Sequence, residues 1–142
     1  MFLGEYKHTL DKKGRVIIPS RFRQELGDTF IITCGFEKCL TIYPMDKWEE
    51  ISDKISNLPF VDRNVRSFIR LIYSKAVEVS LDKLGRIVVP QNLREYASLD
   101  KDAVINGILD NIEVWDKQTW EEYSNKASDD FEDQAQKLTD IF

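Results

Sequence analysis

Hydrophobic positions along this chain change period several times, and each change marks an element. From Gly4 to Leu10, "GEYKHTL" alternates loosely between apolar and polar residues, as a half-buried strand does. "KAVEVSL", Lys75 to Leu81, alternates in the same way. Each run meets a tetrapeptide with Asp first and Gly fourth, Asp11-Lys12-Lys13-Gly14 and Asp82-Lys83-Leu84-Gly85. The Asp side chain of such a turn caps backbone amides, and the Gly tolerates positive φ. The β-branched runs Arg15–Pro19 and Arg86–Pro90 then read as short buried strands stopped by their prolines. Beyond them the apolar spacing lengthens to four, Phe22 to Leu26 and Leu93 to Ala97. That spacing predicts two short helices with Pro19 and Pro90 at the first helical position. "FIITCGFEKCLTIY" (Phe30–Tyr43) and "AVINGILDNIEVW" (Ala103–Trp115) read as hairpins.

The middle of the chain is helical. Trp48, Ile51, Ile55 and Leu58 recur at helical spacing until Pro59 stops the run, and Val65, Phe68, Ile69 and Ile72 line a second helix. Arg63, Arg66 and Arg70 share another face, read as solvated or subunit-facing, with DNA contact the sharper alternative. Trp48, Phe60, Phe68 and Tyr73 exceed what one small core can cover, so a homo-oligomer is expected. After Trp120 the chain is polar and acidic, which predicts a surface helix that frays towards the end.

The two halves repeat each other. "DKKGRVIIP" (Asp11–Pro19) returns as "DKLGRIVVP" (Asp82–Pro90), and seven of 17 aligned pairs from Leu10/Leu81 to Leu26/Ala97 are identical. With one residue of slip the hairpins also match, Gly35 over Gly107, and "WEE" at Trp48–Glu50 recurs at Trp120–Glu122. Two units are too few for a solenoid, so they form a pseudo-symmetric pair. The expected organisation is one unit over 5–47, a helical insert over 48–75, a second unit over 76–119 and an acidic tail over 120–142.

Composition narrows the class. The N-terminus "MFLGEYKHTL" carries charge within eight residues, and no apolar run approaches the ~20 residues of a membrane helix. A soluble, cytoplasmic protein without membrane partner is expected. Zinc wants four ligands; Cys34, Cys39 and the lone His8 are too few, so two reduced thiols are expected and no metal or cofactor. The net charge of −5 divides unevenly, +2 over residues 1–71 and −7 over 72–142. Lys7, Lys12, Lys13, Arg15, Arg21 and Arg23, with His8, face the single acid Asp11 between positions 7 and 23. Screening confines charge to about 8–10 Å, so this local cluster can meet a polyanion although the protein is acidic.

The paired "DKKGRVIIP" and "DKLGRIVVP" resemble the D-x-x-x-R signature of the MraZ family, built of tandem SpoVT/AbrB-type domains. "MFLGEYKHTLDKKGRVIIPSRFR" and "RSFIRLIYSKAVEVSLDKLGRIVVP" are similar to that family along their lengths. The resemblance implies an α+β, β-rich fold of two β-α-β-β swapped-hairpin units (an AbrB-like double-split β-barrel) interlocked as an internal pseudo-dimer. It also implies a transcriptional regulator of the division and cell-wall gene cluster that includes its own operon. Such a regulator binds short direct repeats in promoter DNA as a repressor, assembles into an octamer-like ring and associates with the nucleoid. The second turn departs from the first, with Leu84 where the first has Lys13.

The chemistry of the turns fits that role. A turn stiffened by Asp11 or Asp82, with Gly14 or Gly85 at its end, presents Arg15 or Arg86 in fixed geometry. Arginine suits bidentate contact with guanine or phosphate. Lys12, Lys13 and Lys83 sit at the tips and should reach phosphates, with Lys7, Arg21 and Arg23 adding to the field. The bland alternative is an Arg15 that merely pairs with Asp11. An aspartic-dyad enzyme also uses a duplicated fold, but lysine follows each Asp and would keep both carboxylates ionised. No small-molecule substrate is expected. The remaining alternative is an antidote-type module of a toxin–antitoxin pair, which the acidic tail would suit.

Overall fold

The computed structural model describes residues 1–138, 140 and 141. The first half runs β1 (Phe2–Thr9), β2 (Arg15–Ile17), α1 (Ser20–Leu26), β3 (Thr29–Cys34), a 3-10 turn (Phe36–Lys38) and β4 (Leu40–Pro44). Helices α2 (Met45–Ser56) and α3 (Arg63–Lys75) follow. The second half repeats the series as β5 (Val77–Ser80), β6 (Arg86–Val88), α4 (Gln91–Tyr96), β7 (Asp102–Leu109) and β8 (Asn111–Asp116). The chain then enters α5 (Lys117–Asp129) and α6 (Phe131–Gln136). The acidic tail is thus two helices meeting at Asp130; Thr139 and Phe142 of that stretch lie outside the described residues.

Strand pairing crosses between the halves. One antiparallel sheet has the order β1-β7-β8-β4-β3-β5, and β2 pairs with β6 in a separate ribbon. The order is unchanged when each strand is exchanged for its repeat. β1 lies along the second hairpin from Phe2↔Leu109 to Thr9↔Asp102, and β5 lies along the first from Thr29↔Ser80 to Ile32↔Val77. The hairpins meet at β4 and β8 through Leu40↔Val114 and Ile42↔Ile112. This sheet does not close into the barrel that the resemblance implied, because β1 and β5 remain its edges. After Leu10 and Leu81 the Asp–Gly turns redirect the chain over the core, where β2 and β6 pair across the halves instead of extending an edge.

The core fills the space between one sheet face and the ribbon with α1 and α4. Val16, Ile18, Ile87 and Val89 point down from the ribbon and are buried, as are Phe22, Leu26, Leu93 and Ala97 from the helices. Phe22 meets Phe2 and Tyr6 edge to face at 5.4 and 5.3 Å. Two sequence expectations shift here. The β-branched runs are buried only on alternate residues, since a strand has two faces; Ile17 and Val88 are exposed. Pro19 and Pro90 stand just before their helices rather than inside them, with ψ of 135° and 150°.

The opposite sheet face carries α2, α3 and α5. A polar row crosses it, in which Thr33, Thr41 and Asn106 are buried. The Thr33 hydroxyl donates to the Ile72 carbonyl at 2.7 Å, whereas neither amide atom of Asn106 has a partner among the described residues. Trp115, Trp120 and Tyr123 cluster over this face, and the Trp120 indole N–H donates to Glu5 at 2.9 Å. Helices α2 and α3 bury no side chain completely. Leu58, expected on the buried face of α2, is exposed because the helix ends at Ser56 and Leu58 falls in the turn beyond it. Arg66 donates to the Phe60 and Val61 carbonyls at 3.3 and 2.9 Å, and Arg70 lies 5.8 Å over the Phe60 ring. Those two arginines therefore secure the loop between α2 and α3. No helix among the described residues is long and apolar enough to cross a membrane.

Candidate functional site

The two Asp–Gly turns have the same construction. The Asp11 carbonyl accepts from Gly14 N–H at 3.0 Å, closing a four-residue turn. Its carboxylate accepts from the Lys13 and Arg15 backbone N–H groups at 2.9 Å each, and from Arg15 Nε at 2.6 Å. In the second turn Asp82 accepts from Leu84 and Arg86 backbone N–H at 2.9 Å and from Arg86 Nε at 2.8 Å. The backbone N–H of the following arginine, with the guanidinium beside it, holds each Asp carboxyl below its ordinary range. Both acids are therefore ionised and fully engaged. An aspartic dyad needs one carboxyl raised to hold a shared proton, and neither is.

An arginine gripped at Nε has its outer Nη edge pointing away from the acid. For Arg15 that edge has no partner among the described residues. Arg86 differs: its Nη1 lies 4.0 Å from Asp11 of the first turn, so the second arginine leans across the pair. The side chains are 31% and 25% exposed, enough for each outer edge to meet a ligand. Asp–Arg pairing and an outward arginine, opposed as alternatives on the sequence alone, coexist here.

The turns are braced crosswise. Ile18 N–H donates to the Gly85 carbonyl at 2.9 Å, and Val89 N–H donates to the Gly14 carbonyl at 2.8 Å. The Arg94 guanidinium packs against Gly14, and that of Arg23 packs against Gly85. Both glycines have left-handed φ, 79° and 78°, and a Cβ on either would strike the arginine above it. Arg23 also donates from Nε to the Ile18 carbonyl at 2.9 Å. Each helix thus clamps the other unit's turn.

The structure brings some of the expected residues together and separates others. Arg15 and Arg86 share the ribbon, with Lys12, Lys13 and Lys83 exposed at the turn tips beside them. Leu84 is exposed at the tip where the first turn has Lys13. Arg21 is exposed on α1, while Arg23 is partly buried in its clamp. Lys7 alternates with Glu5 on the sheet face that carries α5, and a shallow depression there is lined by Lys7 and Lys117. That is the face opposite the ribbon. Sequence reasoning overlooked Arg94, although its identity with Arg23 across the repeat marked it. Cys34 and Cys39 are buried and unbridged, and burial, with Glu113 nearby, pushes the Cys39 thiol pKa up. Among the described residues no group of three or more His, Cys, Asp or Glu is placed to hold a metal ion.

The duplicated sequence has counterparts among known proteins. A family model described as MraZ protein, antitoxin-like, matches this chain twice, over residues 1–71 and 72–142. The Transcriptional regulator MraZ of Moorella thermoacetica is 50% identical over 141 residues, covering 99% of this chain and 99% of that relative. With both halves matched and half of all positions shared from end to end, the chain belongs to the MraZ family.

Proposed function

We propose that this protein is a non-enzymatic transcriptional regulator that grips double-stranded DNA with its paired turns. Arg15 and Arg86 read bases or phosphates, and Lys12, Lys13 and Lys83 anchor the backbone. The observation that carries this reading is the ribbon itself: two partly exposed arginines held at Nε by their turn acids, on one face with basic tips around them. Asp11, Gly14, Asp82 and Gly85 set the turns. Arg21 and Lys7 add positive field from further away, and Arg23 acts chiefly by bracing Gly85. We read residues 5–47 and 76–119 as swapped-hairpin units, supported by the exchange of β1 and β5 between hairpins. On this reading 48–75 is an insert and 120–142 an appended tail.

The working form is a ring-shaped homo-oligomer. Two unlike apolar surfaces support it. One is formed by Phe36, stacked on Phe68 at 6.5 Å, with Leu71 and a cavity of about 150 Å³ beneath α2 and α3. The other is Met1, Leu3, Ile108 and Leu109 at the far tip of the sheet. Head-to-tail contact between unlike surfaces closes into a ring when the rotation allows. A ring would display several ribbons and engage short direct repeats in tandem. Each later contact is then effectively intramolecular, raising avidity by about 10²–10⁴ when the spacing matches. The target on this reading is the promoter of its own operon in the division and cell-wall cluster, repressed by a protein of the cytoplasm and nucleoid.

The test is an anisotropy titration of duplex DNA from upstream of its own gene against scrambled duplex. Strong preference for the upstream fragment, lost when one repeat is deleted or moved by half a helical turn, supports the proposal. Equal binding to both refutes it. The antitoxin-like family description keeps the antidote reading as the competitor. Capture from native lysate separates them: a protein partner that survives nuclease treatment, with no upstream preference, favours the antidote.

A further inference from the structure

Resting on that DNA-binding reading, we infer that Ile17 and Val88 contact the C5-methyl groups of thymines in the major groove. They do so beside Arg15 and Arg86 on the same ribbon face. The register places Arg15 opposite Val88 and Ile17 opposite Arg86, while the Val16–Ile87 pair between them points into the core. The outward face is therefore a four-residue square with arginines on one diagonal and β-branched apolar residues on the other. Ile17 is 39% exposed and Val88 54% exposed.

Two apolar side chains in water, at the centre of a basic surface, call for a partner that is both anionic and locally apolar. A phosphate backbone alone offers nothing to Ile or Val; polar side chains would serve there. The thymine methyl is the apolar group that projects among the base-edge donors and acceptors of the major groove. The dimensions agree. Two strands about 4.8 Å apart enter a groove about 12 Å wide. Diagonal neighbours such as Arg15 and Arg86 stand about 7–8 Å apart, close to two base-pair steps of about 3.4 Å. Arginines at those corners meet guanines or phosphates while Ile17 and Val88 cover the bases between. Lys13 at one tip and Leu84 at the other make the two ends of this surface unequal.

The experiment compares duplexes from upstream of the protein's own gene, synthesised with thymine or with uracil throughout. Uracil removes only the C5-methyl and keeps base pairing. Burying a methyl is worth about fourfold in affinity, so wild type loses about tenfold or somewhat more on uracil DNA if both side chains engage. The variant Ile17→Ala/Val88→Ala binds thymine and uracil duplexes equally, near the wild-type affinity for uracil DNA. The single variants Ile17→Ala and Val88→Ala, each leaving about a fourfold preference for thymine, take its place if the double variant melts early. Wild type binding both duplexes equally overturns the inference, as does a folded double variant that still prefers thymine. In both cases an intact preference for upstream over scrambled DNA leaves the regulator reading standing. No preference for upstream DNA at all overturns both.

Discussion

Replacing Gly14 or Gly85 by alanine tests how the two turns are locked, and the structure separates the two costs. Each glycine has left-handed φ, near 79° and 78°, which costs an L-residue about 1–2 kcal/mol. At Gly14 the new Cβ would lie 2.7 Å from Arg94 Cζ, but the Arg94 guanidinium makes no hydrogen bond among the described residues and can swing aside. Gly14→Ala should therefore cost little beyond the backbone term, about 1–2 kcal/mol. At Gly85 the Cβ would lie 2.5 Å from Arg23 Nε, the atom that donates to the Ile18 carbonyl. Displacing it also breaks that partly buried bond, adding about 1 kcal/mol. Urea unfolding provides the assay, with the midpoint falling further for Gly85→Ala than for Gly14→Ala at unchanged m-value. Combining Gly85→Ala with Arg23→Ala should give less than the sum of the single costs, because the bond to Ile18 is then lost only once, whereas Gly14→Ala with Arg94→Ala should be near additive. Equal costs at the two glycines, or a neutral Gly85→Ala, would refute the crosswise clamp.

Three further outcomes follow from the same geometry. Because β1 and β5 each complete the other half's hairpin, fragments 1–58 and 59–142 should be unfolded when made separately and recover native circular dichroism when mixed; independent cooperative melting of either would contradict this. Asp11 and Asp82 have folded pKa values below their ordinary 3.8, so their contribution is complete above about pH 4 and fades as pH falls through the lowered values. Melting temperature should accordingly drop more steeply below pH 4 in wild type than in Asp11→Asn/Asp82→Asn, and parallel profiles would contradict the assignment. Asn106 is buried with both amide atoms unpartnered among the described residues, so Asn106→Leu should melt no lower than wild type and be up to about 1–3 kcal/mol more stable. A marked loss would mean that the amide is satisfied in solution.

The turns were legible because their signals are local: Asp first, Gly fourth and Arg fifth specify the hydrogen bonds within five residues. Hairpins at Phe30–Tyr43 and Ala103–Trp115 and the two insert helices were legible from periodicity over longer windows. Crosswise pairing was only partly so. The repeat announces a pseudo-twofold pair, but edge strands left at β1 and β5 depend on how far each chain segment reaches, which no local pattern encodes. Arg23 illustrates the same gap. Its charge placed it with the DNA-contacting residues, while its position against Gly85 depends on an approach between segments about 60 residues apart. Ile17 and Val88 were hidden in continuous β-branched runs, where period two leaves no trace. Lys7 belongs to a basic cluster in sequence, yet strand alternation turns it to the other side of the sheet.

DNA recognition by the ribbon stands or falls on Arg15, whose outer guanidinium edge has no partner among the described residues while its Nε is fixed to Asp11. The most direct measurement is the affinity of Arg15→Ala for the upstream duplex and for scrambled DNA across a salt series, with light scattering and melting on the same samples. The expected result is an oligomer of unchanged mass whose preference for the upstream duplex is gone. Lys12→Ala, run alongside, should keep the preference and lower the salt slope by about 0.9 for each phosphate that the lysine neutralises in wild type. An Arg15→Ala protein that folds, assembles and still selects the upstream duplex as wild type does would make the turn arginine purely structural and contradict DNA recognition by the ribbon.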